Sequence, residues 1–278
     1  MLERTLVKVS LREPRQKFLD MITFLKNYGT SEVHLIHART KTNYRNRERI
    51  EADLERLRAE VADLGYSVQA HIRTGFAPLK ILDVAQEVHA DYISICWTSK
   101  AMLRQALLGS IDSDILRMST LPVFIYNPKI FRSVLELESV LYATDFQYTD
   151  AAVMPYLRDS RFKARILHLL HVGERAPDPV TEKRRKQEAL DNLHRLAEEC
   201  RHAYDEVETV EVIGMVRRRI IQQAKQRDVE LVVVGKSEKP DAMSQMLGST
   251  GEILPHKASC SVFIIPGVCG LDTPGTGG

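Results

Sequence analysis

The chain has 278 residues, of which 44% are apolar and 27% charged, and its formal net charge is +2. This composition is typical of a globular protein and excludes an intrinsically disordered chain. The small net charge argues against nucleic-acid and membrane partners, and no apolar run approaches the roughly 20 residues of a transmembrane helix. The N-terminus lacks a signal-peptide core, and the four cysteines have no CxxC spacing. We therefore expect a cytoplasmic protein without a metal site.

Strands and helices are predicted to alternate along the first half of the chain. Short apolar runs indicate strands, and apolar residues at helical spacing indicate helices. The predicted strands are 6–10, 32–38, 67–73, 91–96 and 121–126; helices are predicted around Phe18 and at 44–64, 78–89 and 110–119, with a loop or short helix at 100–108. This alternation is typical of an α/β fold with a parallel sheet.

The same alternation begins again in the second half. Strands are predicted at 140–145, 164–172, 207–213, 230–234 and 262–266, and helices at 151–157, 181–204 and 216–226. The glycine-rich residues after Pro266 offer nothing that can pack, so we predict a disordered tail.

Matching segments recur at a nearly constant distance, which indicates a duplicated domain. Gly109-Ser110 precedes Gly248-Ser249 by 139 residues, and the strand at Val123 precedes the strand at Val262 by the same distance. We predict domains at 1–133 and 134–268 with a tail at 269–278. Each is expected to hold an open five-stranded parallel sheet with helices on both faces. Each domain ends in an apolar strand, and antiparallel pairing of these two strands would cover both edges.

The stretch from Leu231 to Pro266 has the pattern of an anion-binding loop. A β-branched strand ends at Gly235, where the missing Cβ allows a sharp turn or a close ligand. Further on, Gly248-Ser249-Thr250 precedes a helical pattern and offers free N–H groups and hydroxyls at a helix N-terminus. Together these features predict an anion cradle at the C-terminal edge of a parallel sheet.

These segments resemble the universal stress protein family in its tandem form. Val140 to Asp145 resembles the family's first strand, which ends in Asp, and His168 to Val172 resembles its second. The family signature Gly-x2-Gly-x9-Gly-Ser/Thr is matched by Gly235, Gly248 and Ser249, with Glu238 in place of the second glycine. The resemblance covers nearly the whole chain, twice.

The resemblance implies an adenine nucleotide, ATP or AMP, across the C-terminal strand edge of the second domain. It assigns the adenine side to Asp145 and the backbone at Val172, and the ribose and phosphates to Gly235, Gly248, Ser249 and Thr250. Glu238 would repel phosphates by about 1 kcal/mol or more, which makes AMP as good a candidate as ATP. Lys236 or Lys239 would offset that repulsion.

The first domain departs further from the family pattern. Ser10 stands where the family has Asp, and Cys96 and Ser99 replace the two glycines, so we expect a single nucleotide site per chain. Asp145 has a simpler alternative role as a helix cap. The His-x-x-His pairs lie on strands, where residues three apart point to opposite faces, so no metal is predicted.

No catalytic constellation is recognised in the sequence, so we expect a binding protein and not an enzyme, with at most weak ATP hydrolysis. Two alternatives stay open: a dimerisation scaffold that binds no nucleotide, and a slow ATP hydrolase or nucleotidyl transferase. A homodimer of tandem chains and an unidentified protein partner are also expected from the resemblance.

Overall fold

The structure is a computed structural model that describes residues 1–39, 47–96, 111–127, 137–147, 149–236 and 260–267. Several predicted features lie outside these residues, among them the segment 100–108, the boundary between the domains at 133–134 and the tail 269–278. Within the described ranges, no helix combines the length and apolar character needed to cross a bilayer.

The first half follows the predicted alternation of strands and helices. Its strands are β1 (Arg4–Lys8), β2 (Glu32–Arg39), β3 (Ser67–Thr74), β4 (Tyr92–Cys96) and β5 (Val123–Tyr126). Its helices are α1 (Arg15–Phe24), α2 (Arg47–Asp63), α3 (Ala77–Glu87) and α4 (Ile111–Met118), with a 3-10 turn at Leu25–Tyr28. β1 lies two residues earlier than the predicted 6–10. The Asp91 carboxylate accepts hydrogen bonds from the backbone N–H groups of Glu3 (2.8 Å) and Arg4 (3.0 Å), which fixes the start of this strand.

The second half repeats the same order. Its strands are β6 (Leu137–Thr144), β7 (Ala164–Gly173), β8 (Glu206–Ile213), β9 (Leu231–Lys236) and β10 (Ser261–Pro266). Its helices are α5 (Asp150–Arg158), α6 (Pro179–Cys200) and α7 (Val216–Gln226). The predicted helix at 181–204 ends earlier than expected, since Arg201–Ala203 continue as a 3-10 turn.

The ten strands form one sheet in the order β3-β2-β1-β4-β5-β10-β9-β6-β7-β8. Strands within each half are parallel, and β5 pairs antiparallel with β10 through Phe124 and Phe263 at the centre of the register. The predicted fold class and the predicted pairing of the two last strands are both confirmed. The two five-stranded sheets therefore join edge to edge, and each covers the other's apolar edge strand.

Each face of the sheet carries its own apolar core. Successive strand residues point to opposite faces, so Val7 lies in one core and Leu6 in the other. The first face is covered by α1, α2, α5 and α6, and the second by α3, α4 and α7. Helices on both faces are the arrangement that the sequence predicts.

An aromatic cluster packs the two halves together on the first face. Tyr28, from the first half, lies 5.3 Å from Phe124 and 5.7 Å from both Phe162 and Phe263, measured between ring centroids. All three contacts are edge-to-face, the geometry that aromatic quadrupoles favour. Residues from both halves thus share one core at the β5–β10 seam.

Candidate functional site

The candidate site lies where the chain reverses its direction of travel across the sheet of the second half. β6 pairs with β7 on one side and with β9 on the other, all parallel. Such a switch point leaves a crevice beyond the carboxyl ends of the strands, where α/β proteins bind ligands. Asp145 directly follows β6, Gly235 lies near the end of β9, and Val172 lies near the end of β7.

Asp145 is a half-buried residue that organises the loop between β6 and α5. Its Oδ1 accepts hydrogen bonds from the backbone N–H of Gln147 (3.0 Å) and the hydroxyl of Thr149 (3.1 Å). Phe146, which lies between Asp145 and Gln147, has φ of 59°, a conformation that such a tight turn imposes on it. Asp145 therefore does not cap α5, whose N-cap residue is Thr149. It braces the loop that precedes the helix.

Position 235 must be glycine because Thr149 lies too close for a Cβ there. A Cβ placed on Gly235 would lie 2.0 Å from the Thr149 Cβ and 2.6 Å from its hydroxyl. Thr149 is 2% exposed and held by Asp145, so it cannot move aside easily. One threonine thus touches both the acid that follows β6 and the glycine of β9, and it brings these two sequence-predicted residues together.

A second acid, which the sequence analysis did not single out, lies beside Asp145. Asp150 accepts hydrogen bonds from the hydroxyls of Tyr142 (2.5 Å) and Thr144 (2.8 Å). Burial raises the pKa of Asp150, and the two hydroxyl bonds oppose that rise. In the sequence, Asp150 is marked only by its place after Thr149 at a predicted helix start. Such a Thr-Asp pair is equally typical of a simple helix cap.

His171 closes the β7 side of the crevice. Its Nδ1 lies 3.2 Å from the Thr144 carbonyl oxygen, which can only accept, so Nδ1 carries the proton. Burial lowers the pKa of His171 and keeps the ring neutral near pH 7. The Phe146 ring stacks on it with centroids 4.2 Å apart. The two rings form a rigid wall next to Asp145.

Comparison with known proteins identifies the fold around this crevice. The model of the universal stress protein family matches residues 22–127 and, a second time, residues 138–266. The chain belongs to the universal stress protein family. The two matches fall on the two halves of the sheet, as the duplication predicts.

Two solved structures share this fold over nearly their whole length, and a shorter curated relative matches part of the chain. A universal stress protein from Archaeoglobus fulgidus DSM 4304 superposes with a TM-score of 0.72 over 96% of this chain and 99% of that chain, at 19% identity. A putative universal stress protein from Pseudomonas aeruginosa UCBPP-PA14 gives 0.68 over 96% and 94%, at 17% identity. A curated relative, universal stress protein Slr1101 of Synechocystis, is 31% identical over 81 residues, 29% of this chain and 75% of its own length.

The remaining predicted site residues divide into two groups. The Val172 side chain is 6% exposed and packs in the core of the second face, so only its backbone can reach a ligand. Gly248, Ser249 and Thr250, together with Glu238, lie outside the described residues. Of the residues that match the universal stress protein signature, Gly235 is the one within the described part of the chain.

Lys236, at the end of β9, contacts the other half of the chain. Its ammonium donates hydrogen bonds to three carbonyl oxygens at the end of α4 in the other half: Leu116 (2.9 Å), Arg117 (2.6 Å) and Ser119 (3.4 Å). A cation at a helix C-terminus is favourable because free carbonyls and the helix dipole converge there. Lys236 thus joins the end of β9 to the first half. Its effect on Glu238, which lies outside the described residues, stays a prediction.

The corresponding edge of the first half has different chemistry. Ser10 accepts one long hydrogen bond, 3.3 Å from the N–H of Arg12, and Pro14 stands where the second half has Thr149. The Cys96 thiol is buried, and its burial raises the pKa to about 12. Proline has no donor for an anion, and a neutral buried thiol offers only a weak one. Among the described residues, no cluster of three metal-ligating side chains is found in either half.

Proposed function

We propose that the second half of this universal stress protein binds one adenine nucleotide per chain and that the protein works in the cytoplasm as a stress-response binding protein. The observation that carries the proposal is the contact of Thr149 with both Asp145 and Gly235 at the switch point of the sheet. This contact supports a ligand crevice with the Asp145 carboxylate on one side. On the other side lies the end of β9, where Gly235 has no side chain.

The chemistry of Asp145 suits a ribose or an adenine amino group. Oδ1 takes both of its hydrogen bonds within the loop, and Oδ2 has none among the described residues. A carboxylate oxygen whose position is fixed by its partner oxygen accepts a ligand hydroxyl or N–H with little further ordering. Val172 would contribute backbone groups only, because its side chain is buried.

AMP is favoured over ATP in this proposal. The outer phosphates of ATP would meet Glu238, and Lys236 is held by three carbonyl oxygens of the first half. Glu238 would repel these outer phosphates, whereas AMP places a single phosphate near Gly248 and Ser249. We also propose that the protein is not an enzyme beyond weak ATP hydrolysis.

The experiment is calorimetric titration of the full chain with AMP and with ATP, beside thermal unfolding. We expect one site per chain and a stabilisation of about 2.7 kcal/mol when free ligand is a hundredfold above Kd. Gly248→Val should abolish binding by blocking the approach of the backbone to the phosphate. Gly109→Val is the matched control in the first half and should leave binding unchanged.

A third variant locates the phosphates. Glu238→Gly restores the family signature and should tighten ATP more than AMP, because it removes repulsion felt mainly by the outer phosphates. Two sites per chain, or unchanged ATP affinity in this variant, would contradict the proposed placement. Failure of both nucleotides to bind the unmodified chain would favour the alternative of a dimerisation scaffold.

Association of two tandem chains stays a prediction, as does an unidentified protein partner. The apolar strands β5 and β10 already pair with each other within the chain, so a second chain would have to use another surface. Sedimentation of the purified chain with and without AMP measures the stoichiometry directly.

A further inference from the structure

A histidine pair joins the outermost strand of the first half to its neighbour. His34 on β2 is 3% exposed, and its Nδ1 lies 3.0 Å from Nε2 of the half-buried His71 on β3. In the sheet that the structure describes, β3 is an end strand and pairs with β2 alone. This side-chain bond therefore adds to the backbone hydrogen bonds that hold the edge strand in place.

The positions of the protons in this pair follow from the groups beside it. Arg4 donates a hydrogen bond to Glu32 (Nε to Oε2, 2.7 Å) and lowers the pKa of that carboxyl, which is therefore ionised near pH 7. An ionised carboxylate can only accept, so Nε2 of His34, 2.8 Å from Oε1 of Glu32, carries a proton. In neutral His34 the other nitrogen, Nδ1, is then an acceptor, and His71 donates its Nε2–H to it.

The pair can take up one extra proton without losing its hydrogen bond, but it cannot take up two. A bond between two facing nitrogens needs a hydrogen on one and a lone pair on the other. The first extra proton is accommodated on Nδ1 of His71, which leaves the facing nitrogens unchanged. The second would give both facing nitrogens a hydrogen at a separation of 3.0 Å. Repulsion between two cations would then replace the bond.

Charged groups on neighbouring elements also act on His71. Arg73 follows it on the same face of β3 and pairs with Glu87 of α3 at 2.6 Å, while Arg4 of β1 and Glu32 of β2 lie on the far side of the partner histidine. Burial, the partner histidine and Arg73, in that order, lower the pKa of His71, and Glu87 opposes them. His71 is therefore uncharged near pH 7, and a lower pH than usual is needed to protonate it within the pair.

The second half holds its edge strand with a different bond. His168 on β7 lies opposite Glu208 on β8, with Nδ1 2.8 Å from the carboxylate. The same register in the first half places Gln69 opposite His34. Protonation of His168 keeps its bond and makes it charge-assisted on both sides. Acid therefore acts differently on the side-chain bonds of the two edge strands.

We propose that the His34–His71 pair is a pH-sensitive contact that holds β3 on β2 near pH 7 and releases it when both rings are protonated. Release would free the edge of β2, while the contact of β7 with β8 persists. The proposal concerns the first half and does not depend on nucleotide binding in the second.

Proton uptake sets the size of the expected effect. At pH 5 a free imidazole with the usual pKa of about 6.5 favours its protonated form about thirtyfold. The released strand leaves two such rings, and the closed pair holds one extra proton at most. Opening of β3 should therefore increase about thirtyfold or more between pH 7.5 and pH 5.

The test is amide hydrogen exchange of the full chain at these two pH values, corrected for the intrinsic exchange rate at each. We expect protection of the β3 amides to fall about thirtyfold, and protection of β1 and β4, in the interior of the same half, to change much less. Unchanged protection of β3 would overturn the proposal. So would an equal loss in every strand of the first half, because that is not a local release.

One substitution separates the hydrogen bond from its titration. The amide of His71→Gln can donate to Nδ1 of His34 and can accept from it once that nitrogen is protonated. Protection of β3 in this variant should fall only a few-fold between the two pH values. His194→Gln, at an exposed position on α6, is the matched control and should retain the full loss. A loss in His71→Gln as large as in the unmodified chain would contradict the assignment.

Nitrogen chemical shifts of the two rings at pH 7.5 check the positions of the protons independently. We expect a hydrogen on Nε2 of both His34 and His71 and none on Nδ1 of either. A hydrogen on Nδ1 of His34 at this pH would reverse the bond and overturn the account of how the pair takes up protons.

Discussion

The two halves share a backbone at their carboxyl edges and differ in the side chains placed on it. Leu11 and Phe146 have the same positive φ of 59°, and Gly75 and Gly214 end β3 and β8 with φ of 143° and 139°. Three positions at these edges differ between the halves. The first half has Ser10, Pro14 and Cys96, and the second half has, in the same order, Asp145, Thr149 and Gly235.

These differences form a matched set. Gly235 is compatible with Thr149 because it has no Cβ, and Thr149 in turn bonds to Asp145. Cys96 carries a Cβ, and its half has proline in place of the threonine and serine in place of the acid. The comparison teaches that a single glycine of the family signature is tied by contacts to two other positions, Thr149 and Asp145.

The largest effect is expected from Gly235→Ala. The new methyl would lie 2.0 Å from the Thr149 Cβ, so strand β9 or the loop before α5 must shift. Overpacking of this kind costs about 1–3 kcal/mol, and we expect the upper end because the neighbour is buried and hydrogen-bonded. Urea unfolding measures the loss. Cys96→Ala, at the same place in the first half, is the matched control and should cost less.

A double-mutant cycle identifies the cause. Thr149→Gly removes the atoms that clash, so Gly235→Ala should cost much less in that background, with a coupling on the order of 1 kcal/mol or more. Additive effects of the two substitutions would mean that Thr149 is not what requires a glycine at 235.

The next effect is expected from Lys236→Met, which breaks the contact between the halves. Methionine keeps most of the apolar stem and removes the ammonium that bonds to the carbonyls of Leu116 and Arg117. Hydrogen bonds to a charged group suggest a loss of about 1–2 kcal/mol for this half-buried side chain. Hydrogen exchange at the end of α4 should also accelerate, although the substitution lies in the other half.

Lys183→Met, at an exposed position on α6, is the control for removal of one positive charge. If both variants lose the same stability, and exchange in α4 is unchanged, then the Lys236 contact does not contribute to the packing of the halves.

A smaller effect, dependent on pH, is expected from Asp150. Its folded pKa is raised, mainly by burial, so the folded state holds its proton more readily than the unfolded chain. The stability from this group is full below the unfolded value near 3.9 and is lost as pH rises through the raised folded value. Each pH unit between the two values corresponds to about 1.4 kcal/mol.

Asp150→Asn removes this titration. The unfolding free energy of the unmodified protein, minus that of the variant, should therefore be largest at the lowest pH and decline as pH rises through that window. Parallel curves for the two proteins would show that Asp150 titrates normally in the folded state. The first half supplies no counterpart, since Arg15 stands at this position.

Local patterns in the sequence were sufficient to predict the strands, the helices and the duplication. Runs such as Val232-Val233-Val234 are buried on both faces, as their uniform apolarity indicates. The pairing of β5 with β10 followed from the apolar character of both strands. Shifts of two or three residues occur at strand starts such as Arg4, where a side chain distant in sequence, Asp91, decides the boundary.

The site was less accessible to such reasoning. Asp145 and Gly235 were found by their motif, but the threonine that joins them was not, because nothing local marks Thr149 as more than a helix cap. The contacts of Lys236 were not predicted either, because its carbonyl partners lie about 120 residues earlier in the chain. A contact between the halves has no signature in the local sequence around either partner.

The smallest effect is expected from Ser10→Asp, which gives the first half the acid of the second. The new carboxylate would find the N–H of Arg12, but Pro14 has no hydroxyl to hold it, and Glu13 already occupies that N–H at 3.2 Å. Surface substitutions without a new partner change stability by less than about 0.5 kcal/mol. We expect no AMP-induced rise in Tm when Ser10→Asp is combined with Gly248→Val, which silences the second half. Restored stabilisation by AMP in that double variant would mean that the acid alone confers binding, and that Thr149 and Gly235 are not needed beside it.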